Sequence, residues 1–492
     1  MSLLDQRRAG VLLHPTSLPG PYRGGDIGPA AYHFIDFLAD SGCSVWQMLP
    51  LGPTHADGSP YQCLSVNAAN LCLISLDWLV NKGWLEFSQL TEPKDSIDFR
   101  FQGLQLAYQN FSTENNPAWN KKLKAFTKKQ SAWLSDYALY IVLKNAHDGL
   151  AWNEWPEPLA QRNKKALKKA RAEYAHQIAQ IEFGQFVFFT QWNELREYAR
   201  DKGVQLFGDM PIFVSFDSSD VWACRKNFLM NKEGQCEFVA GVPPDAFSDL
   251  GQRWGNPLYD WAYLETTKFD WWVQRFATQL ELFDLIRVDH FRGFDACWNI
   301  PAEEESAING EWVKSPGEAL LTVLNQKFKS LPLVAEDLGV ITEDVIKLRK
   351  QFNLPGMKIL QFAFDGDSRN KYLPHNHEKS CVVYTGTHDN NTTLGWYQEL
   401  DVVSKQYLHN YLGVDENTVL DMPWVMNRMA LASVASFVII PMQDILSLDA
   451  KHCMNVPGTT EGNWRWRFYW DQLWPRLPSD LKRLITVYDR LG

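Results

Sequence analysis

Residues 285–290 read LIRVDH, a short apolar run that ends on Asp289 and His290. Seven further runs have the same character: 10–16 (GVLLHPT), 45–50 (VWQMLP), 204–210 (VQLFGDM), 333–337 (LVAED), 358–362 (KILQF), 382–385 (VVYT) and 437–442 (FVIIPM). None alternates apolar with polar. Each is apolar nearly throughout, which is what a strand covered on both faces requires. Helical patterns separate them. Residues 31–41 follow Pro29, residues 263–283 carry a broad apolar face, Thr342 caps a helix running to about Phe352, and 427–436 reads as a short helix. Strands alternating with helices imply a parallel sheet. A set of eight predicts a closed (β/α)8 TIM barrel of the α/β class.

The gaps are unequal. The second and third runs are separated by residues 51–203, far more than one helix needs. We therefore expect a single catalytic barrel domain over 1–492, with a mostly helical insertion at 82–182 after strand two. A second insertion is expected at 213–263 after strand three. The basic run 162–171 (RNKKALKKAR) reads as a solvated helix face. The stretch after strand eight is too short for a C-terminal β-sandwich, so none is expected.

Composition narrows the function. The net charge of −10 argues against a nucleic-acid or anionic-membrane partner, both of which select a basic face. The chain holds 21 Trp, 17 Tyr and 28 Phe, enough to supply faces that stack on sugar rings as well as a core. Its 8 Cys form no C-x-x-C pair and read as small buried hydrophobes. There is no apolar leader and no membrane-length run, so a cytoplasmic protein is expected, or a plastid-stroma one if a transit peptide has been removed. No P-loop, G-x-G-x-x-G or calcium loop is present, so no cofactor and no metal is expected.

The chemistry falls where barrel strands end. Asp209 closes the third run, Asp289 the fourth and Glu336 the fifth, and Asp389 follows the seventh. Four carboxylates aimed at one mouth suggest either a metal or glycoside chemistry. Arg287 lies two residues before Asp289 and so on the same side of the strand. An adjacent guanidinium keeps a carboxylate ionised, as a nucleophile needs. Glu336 follows Leu333, Val334 and Ala335, an apolar setting that raises a carboxyl pKa, as a general acid needs. An arginine is an odd neighbour for a metal ligand.

The strings LIRVDHFRGF (285–294), VAEDLG (334–339) and YTGTHDNNTT (384–393) resemble the α-amylase clan. HPTSLPG (14–20), GSPYQ (58–62), GDMPIFV (208–214) and above all GVPPDAFSDLGQRWGNPLY (241–259) narrow the resemblance to the amylomaltase or disproportionating-enzyme family, glycoside hydrolase family 77. This resemblance implies a retaining 4-α-glucanotransferase acting on malto-oligosaccharides, amylose, starch or glycogen, as a monomer or small homo-oligomer. It implies Asp289 as nucleophile, Glu336 as acid/base and Asp389 as transition-state stabiliser. Arg287, His388 and Asp209 then line the site, and Ser59, Tyr61, Trp254, His290 and Asn463 complete the substrate-binding set. Gly241, Gly251 and Gly255 suggest a hinged lid over 241–259 with Trp254 at its tip. An α-glucan hydrolase would use the same three acids and is the alternative. A dead glucan-binding protein would not need all three.

Overall fold

All eight runs become strands in the computed structural model, which describes residues 6–244, 248–415 and 417–492. They are β1 (Arg8–Leu12), β2 (Val45–Gln47), β3 (Gln205–Pro211), β4 (Leu285–Asp289), β5 (Leu333–Ala335), β6 (Gly356–Ile359), β7 (Cys381–Tyr384) and β8 (Phe437–Pro441). All neighbours are parallel, in the order β6-β7-β8-β1-β2-β3-β4-β5. The seam between β5 and β6 is held by two bonds in place of a ladder. Ala335 N–H donates to the Pro355 carbonyl at 2.9 Å, and Met357 N–H donates to Asp337 Oδ1 at 2.7 Å. The barrel is thus nearly closed.

Both faces of each strand are apolar because both are covered. Leu12, Val45, Phe207, Leu285, Val334, Met357, Val382 and Phe437 fill the barrel interior. Their sequence neighbours Val11, Trp46, Leu206, Ile286, Leu333 and Val438 turn outward into the surrounding core. Each such aliphatic side chain contributes about 1.5–3 kcal/mol relative to exposure.

Between β2 and β3 the chain forms helices Ile97–Glu114, Pro117–Lys129, Leu134–Ala146 and Lys164–Glu173. Ser96, Asn116 and Asn163 cap three of them through side-chain oxygens. Residue 182, the expected end of this insertion, falls inside the 27-residue helix Ala175–Asp201. The C-terminal part of that helix belongs to the barrel's outer layer: Trp192 Nε1 donates to the Leu282 carbonyl at 2.9 Å. The basic run is only partly solvated. Its lysines are exposed, but Arg162 and Arg171 both pair with Asp136, at 2.9 and 2.7 Å.

The expected helix at 263–283 is broken in two, Trp261–Thr266 and Asp270–Leu282. Lys268 and Phe269 adopt left-handed backbone at φ 53° and 56°, which turns the buried Phe269 inward. A second sheet was not foreseen. Strands Phe238–Val242, Gln252–Pro257, Ala296–Pro301 and Glu311–Lys314 form an antiparallel sheet beside the barrel mouth. Two of its strands come from the connection after β3 and two from the connection after β4. Among the described residues no helix is long and apolar enough to cross a membrane.

Gly208 lies on β3, next to Asp209, and a Cβ there would enter the Phe283 ring. Gly208→Ala should therefore lower stability by about 1–3 kcal/mol through overpacking, read as a lower urea midpoint. An unchanged midpoint would show that Phe283 can give way.

Candidate active site

The site is built around a buried arginine. On β4, Leu285, Arg287 and Asp289 share the inward face. Arg287, 5% exposed, lies opposite Asp209 in the β3–β4 register. Its Nη1 meets Asp209 Oδ2 at 2.6 Å and its Nη2 meets Asp289 Oδ1 at 2.8 Å. Asp209 Oδ2 also accepts from Tyr61 Oη at 2.8 Å, while Asp209 Oδ1 is buried and unpartnered. One guanidinium therefore serves two carboxylates on adjacent strands.

Glu336 follows β5 and is held by backbone. Its Oε2 accepts from His290 N–H at 2.7 Å and its Oε1 from Leu338 N–H at 2.8 Å. The first bond depends on the left-handed backbone of His290, φ 51°, which turns its N–H back from the end of β4. Burial pushes the Glu336 carboxyl up, Asp289 pushes it the same way, and Arg287 and the two amides oppose. Burial also pushes Asp289 up, against the pull of Arg287. The neighbour-based expectation of a depressed Asp289 thus omitted desolvation, the larger effect. The Asp289 side chain keeps 28% exposure and a direct guanidinium contact, and Glu336 has only neutral donors. A single proton shared by these two acids therefore resides on Glu336.

Asp389 sits across the mouth on the loop after β7. His388 Nε2 lies 3.1 Å from Asp389 Oδ2, and Asn455 Nδ2 donates to Asp389 Oδ1 at 2.7 Å. Burial alone would raise this carboxyl, but His388, Asn455 and Arg287 outweigh it and hold it at about 2. The His388 ring stacks on Tyr61 at 5.0 Å between centroids and 13° between planes. Trp464 lies 6.0 Å from both rings. Together these three rings make an aromatic wall beside the acids.

The other expected residues fall at different distances from this centre. Trp254 is half-buried in strand Gln252–Pro257, not at a loop tip, and meets the His290 ring edge-on at 4.8 Å. Gly251 and Gly255 flank it with φ 66° and 78°. Residues 245–247 of the expected lid lie outside the described residues. Burial, aided by Arg292, holds the His290 imidazole down to about 3, so it is neutral. Ser59 stabilises the turn that presents Tyr61, its Oγ accepting from Tyr61 N–H at 3.4 Å. The Asn463 amide is used within its own loop, accepting from Val456 N–H at 3.0 Å and donating to the Thr459 carbonyl at 2.9 Å.

Sequence reading missed Asn455 and Trp464. The aromatic run NWRWRF at 463–468 was a signal for the second, but nothing in the sequence marks Asn455.

Comparison with known proteins accords with this architecture. The family described as 4-alpha-glucanotransferase, glycoside hydrolase family 77, matches residues 13–471. A 4-alpha-glucanotransferase of Synechocystis sp. is 46% identical, and one of Thermus thermophilus 44% identical, each over 99% of both chains. The solved structure of the amylomaltase from Streptococcus agalactiae, in complex with acarbose, superposes with a TM-score of 0.94 at 36% identity, over 99% of this chain and 100% of that one. With its barrel, its carboxylate centre and its full-length relatives in agreement, this chain belongs to the 4-alpha-glucanotransferase family, glycoside hydrolase family 77, and is an enzyme of glucan transfer.

Proposed function

We propose that the chain transfers α-1,4-glucan segments with net retention, using Asp289 as nucleophile, Glu336 as acid/base and Asp389 as the group that binds the 2- and 3-hydroxyls of the reacting sugar. The observation that carries this reading is the unequal treatment of two neighbouring acids. Asp289 has a guanidinium at 2.8 Å, whereas Glu336 has amide donors only. An ionised and a protonated carboxyl side by side are what double displacement at an acetal requires.

Glu336 gives its proton to the glycosidic oxygen as Asp289 attacks the anomeric carbon. The C–O bond breaks, a β-linked glycosyl ester forms, and the leaving chain departs with a free 4-hydroxyl. Glu336 is now ionised, and the amides of His290 and Leu338 stabilise that state. The 4-hydroxyl of a second glucan then gives its proton to Glu336 and attacks the same carbon. The ester breaks, and Asp289 is restored. Asp389, ionised and held from both oxygens, strengthens its grip on the 2-hydroxyl as positive charge develops on the ring. Tyr61, stacked on His388, offers a ring face to the sugar. Malto-oligosaccharides, amylose, starch or glycogen supply both donor and acceptor.

Trp254 in this reading covers the ester. Its edge-on contact is with the ring of His290, the residue that follows Asp289 and whose backbone N–H holds Glu336. An acceptor ring that stacks on it keeps water from the ester while transfer proceeds.

Three outcomes follow. Asp289→Asn should remove activity almost entirely. In kcat/KM for the donor, which reports formation of the ester, Glu336→Gln should cost about 10²–10⁴-fold on maltotriose but less than about 10-fold on an α-glucosyl fluoride, whose leaving group needs little protonation. Equal losses on both donors would refute the acid assignment.

The pH profile of kcat/KM on maltotriose should be bell-shaped. Activity falls at low pH as Asp289 takes up a proton and at high pH as Glu336 loses one. Since burial raises both groups, both limbs lie above the ordinary carboxylate values of 3.8 and 4.5. The alkaline limb should flatten with the fluoride donor. Its persistence there would assign it to another group.

Trp254→Ala should raise the hydrolytic share of turnover, measured as reducing ends released per glucose transferred at equal maltotriose. An unchanged ratio with a lower melting temperature would leave Trp254 a packing residue only.

A further inference from the structure

Asp444 lies in the short helix Met442–Ile445 directly after β8. It is 1% exposed, and no step above uses it. Among the described residues no lysine or arginine pairs with it. A buried carboxylate of this kind is costly unless hydrogen bonds satisfy it. Three do. Thr393 N–H donates to Oδ1 at 2.7 Å, and Oδ2 accepts from Thr393 Oγ1 at 2.7 Å and from Thr385 Oγ1 at 2.5 Å.

These two threonines are the feet of one loop. Thr385 follows β7, and Thr393 opens the helix Thr393–Glu399. Between them lie His388 and Asp389. The loop itself is a braced turn. Asn390 Oδ1 accepts from both Thr387 N–H and Thr387 Oγ1 at 2.8 Å, and Thr387 Oγ1 accepts from Asp389 N–H at 3.3 Å. Gln361 adds a second brace, its N–H to the Thr385 carbonyl at 3.2 Å and its Nε2 to the Asn391 carbonyl at 2.9 Å. Behind the loop, a small cleft of about 30 Å³ is lined by His14, Thr387, His388, Asn391 and Asp444. The feet of the loop are fixed by Asp444 and Gln361, and its middle is met by Asn455, whose N–H donates to the His388 carbonyl at 3.2 Å.

We propose that Asp444 is a positioning residue for the transfer reaction: by clamping both feet of the 385–393 loop on one carboxylate, it sets where Asp389 meets the reacting sugar. This rests on the reading of Asp389 as the group that binds the 2- and 3-hydroxyls. A displacement near 1 Å in such a contact costs about 10²-fold.

The test compares two donors, α-glucosyl fluoride and its 2-deoxy analogue, with maltose as acceptor. The full chain carries Asp444→Ala, Asp444→Asn, Thr385→Val or Asp389→Asn, and circular dichroism confirms folding at the assay temperature. Asp444→Ala should lower kcat on the fluoride by about 10–100-fold, with little change in KM for maltose. The loss should be several-fold smaller on the 2-deoxy donor, which has already given up the 2-hydroxyl contact. Asp444→Asn should recover most of the activity, because its carbonyl can take the Thr393 N–H and its amide can donate to both hydroxyls. If Asp444→Ala does not fold, Thr385→Val frees one foot and carries the same comparison.

Equal losses on the two donors in the Asp444 and Thr385 variants, with Asp389→Asn still discriminating between them, would overturn the proposal and leave Asp444 a structural group. Equal losses in Asp389→Asn itself would overturn the reading of Asp389, and the proposal with it.

Discussion

The active centre depends on how the buried charge of Arg287 is balanced. Its guanidinium is fixed by β4 inside the barrel, where an unpaired cation would cost several kcal/mol. Asp209 on β3 and Asp289 at the end of β4 both meet it, at 2.6 and 2.8 Å. Two carboxylates against one guanidinium leave one formal negative charge in the centre. Burial and the neighbouring Asp289 raise the Glu336 carboxyl against the pull of Arg287. The arginine favours the ionised form of Asp289, while burial outweighs its pull on Glu336 and keeps that carboxyl raised. Removing it would strand two buried carboxylates, a change on the order of 3–5 kcal/mol. That is why the ladder register Asp209↔Arg287 matters more than the identity of the surrounding apolar residues.

The barrel was legible because its strands carry a local signal. A strand covered on both faces must be apolar at nearly every position, and all eight runs satisfy this apart from single polar residues such as Gln47, Arg287 and Lys358. The acids were legible for the same reason: they stand where those runs stop. The four-stranded sheet had no such signal. Phe238–Val242 pairs with Ala296–Pro301 across the whole of β4, and Glu311–Lys314 is exposed along its length, so neither periodicity nor burial marks it. Trp254 was expected at a loop tip but lies in a strand that pairs with Phe238–Val242, just before it in the chain. The Asp289 carboxyl shows the limit of reading neighbours. Arg287 was visible two residues away, but burial comes from the whole barrel and outweighs it.

The wall opposite the acids comes from the last part of the chain. After β8 the chain supplies Asp444 beneath the 385–393 loop, Asn455 on Asp389 and Trp464 beside His388 and Tyr61. It is then tied to the beginning. Arg467 donates to the carbonyls of Leu18, Gly20 and Tyr22, at 2.9, 3.1 and 2.6 Å. At the other end of the barrel, Arg490 donates to the carbonyls of Leu431 and Ser433, at 2.7 and 2.8 Å. No part of this set is close in sequence to the acids it serves, which is why Asn455 could not be read from the sequence.

A closed barrel makes this arrangement natural. Because β1 pairs with β8, the segments that follow the first and last strands emerge side by side, with the loop of β7 next to them. His388 and Asp389 therefore meet residues from both ends of the chain, while Arg287 and Glu336 stand on the far side, on β4 and just beyond β5. One half fixes charge through a buried ion pair that the strand register dictates. The other fixes position through hydrogen bonds among loops that only the completed barrel brings together. A chain that has formed β3, β4 and β5 already has Asp289 and Glu336 in place, but Asp389 lacks its Asn455 partner until the segment after β8 has joined them. Glycosyl transfer in this fold is accordingly a property of the closed ring and not of any one of its βα units.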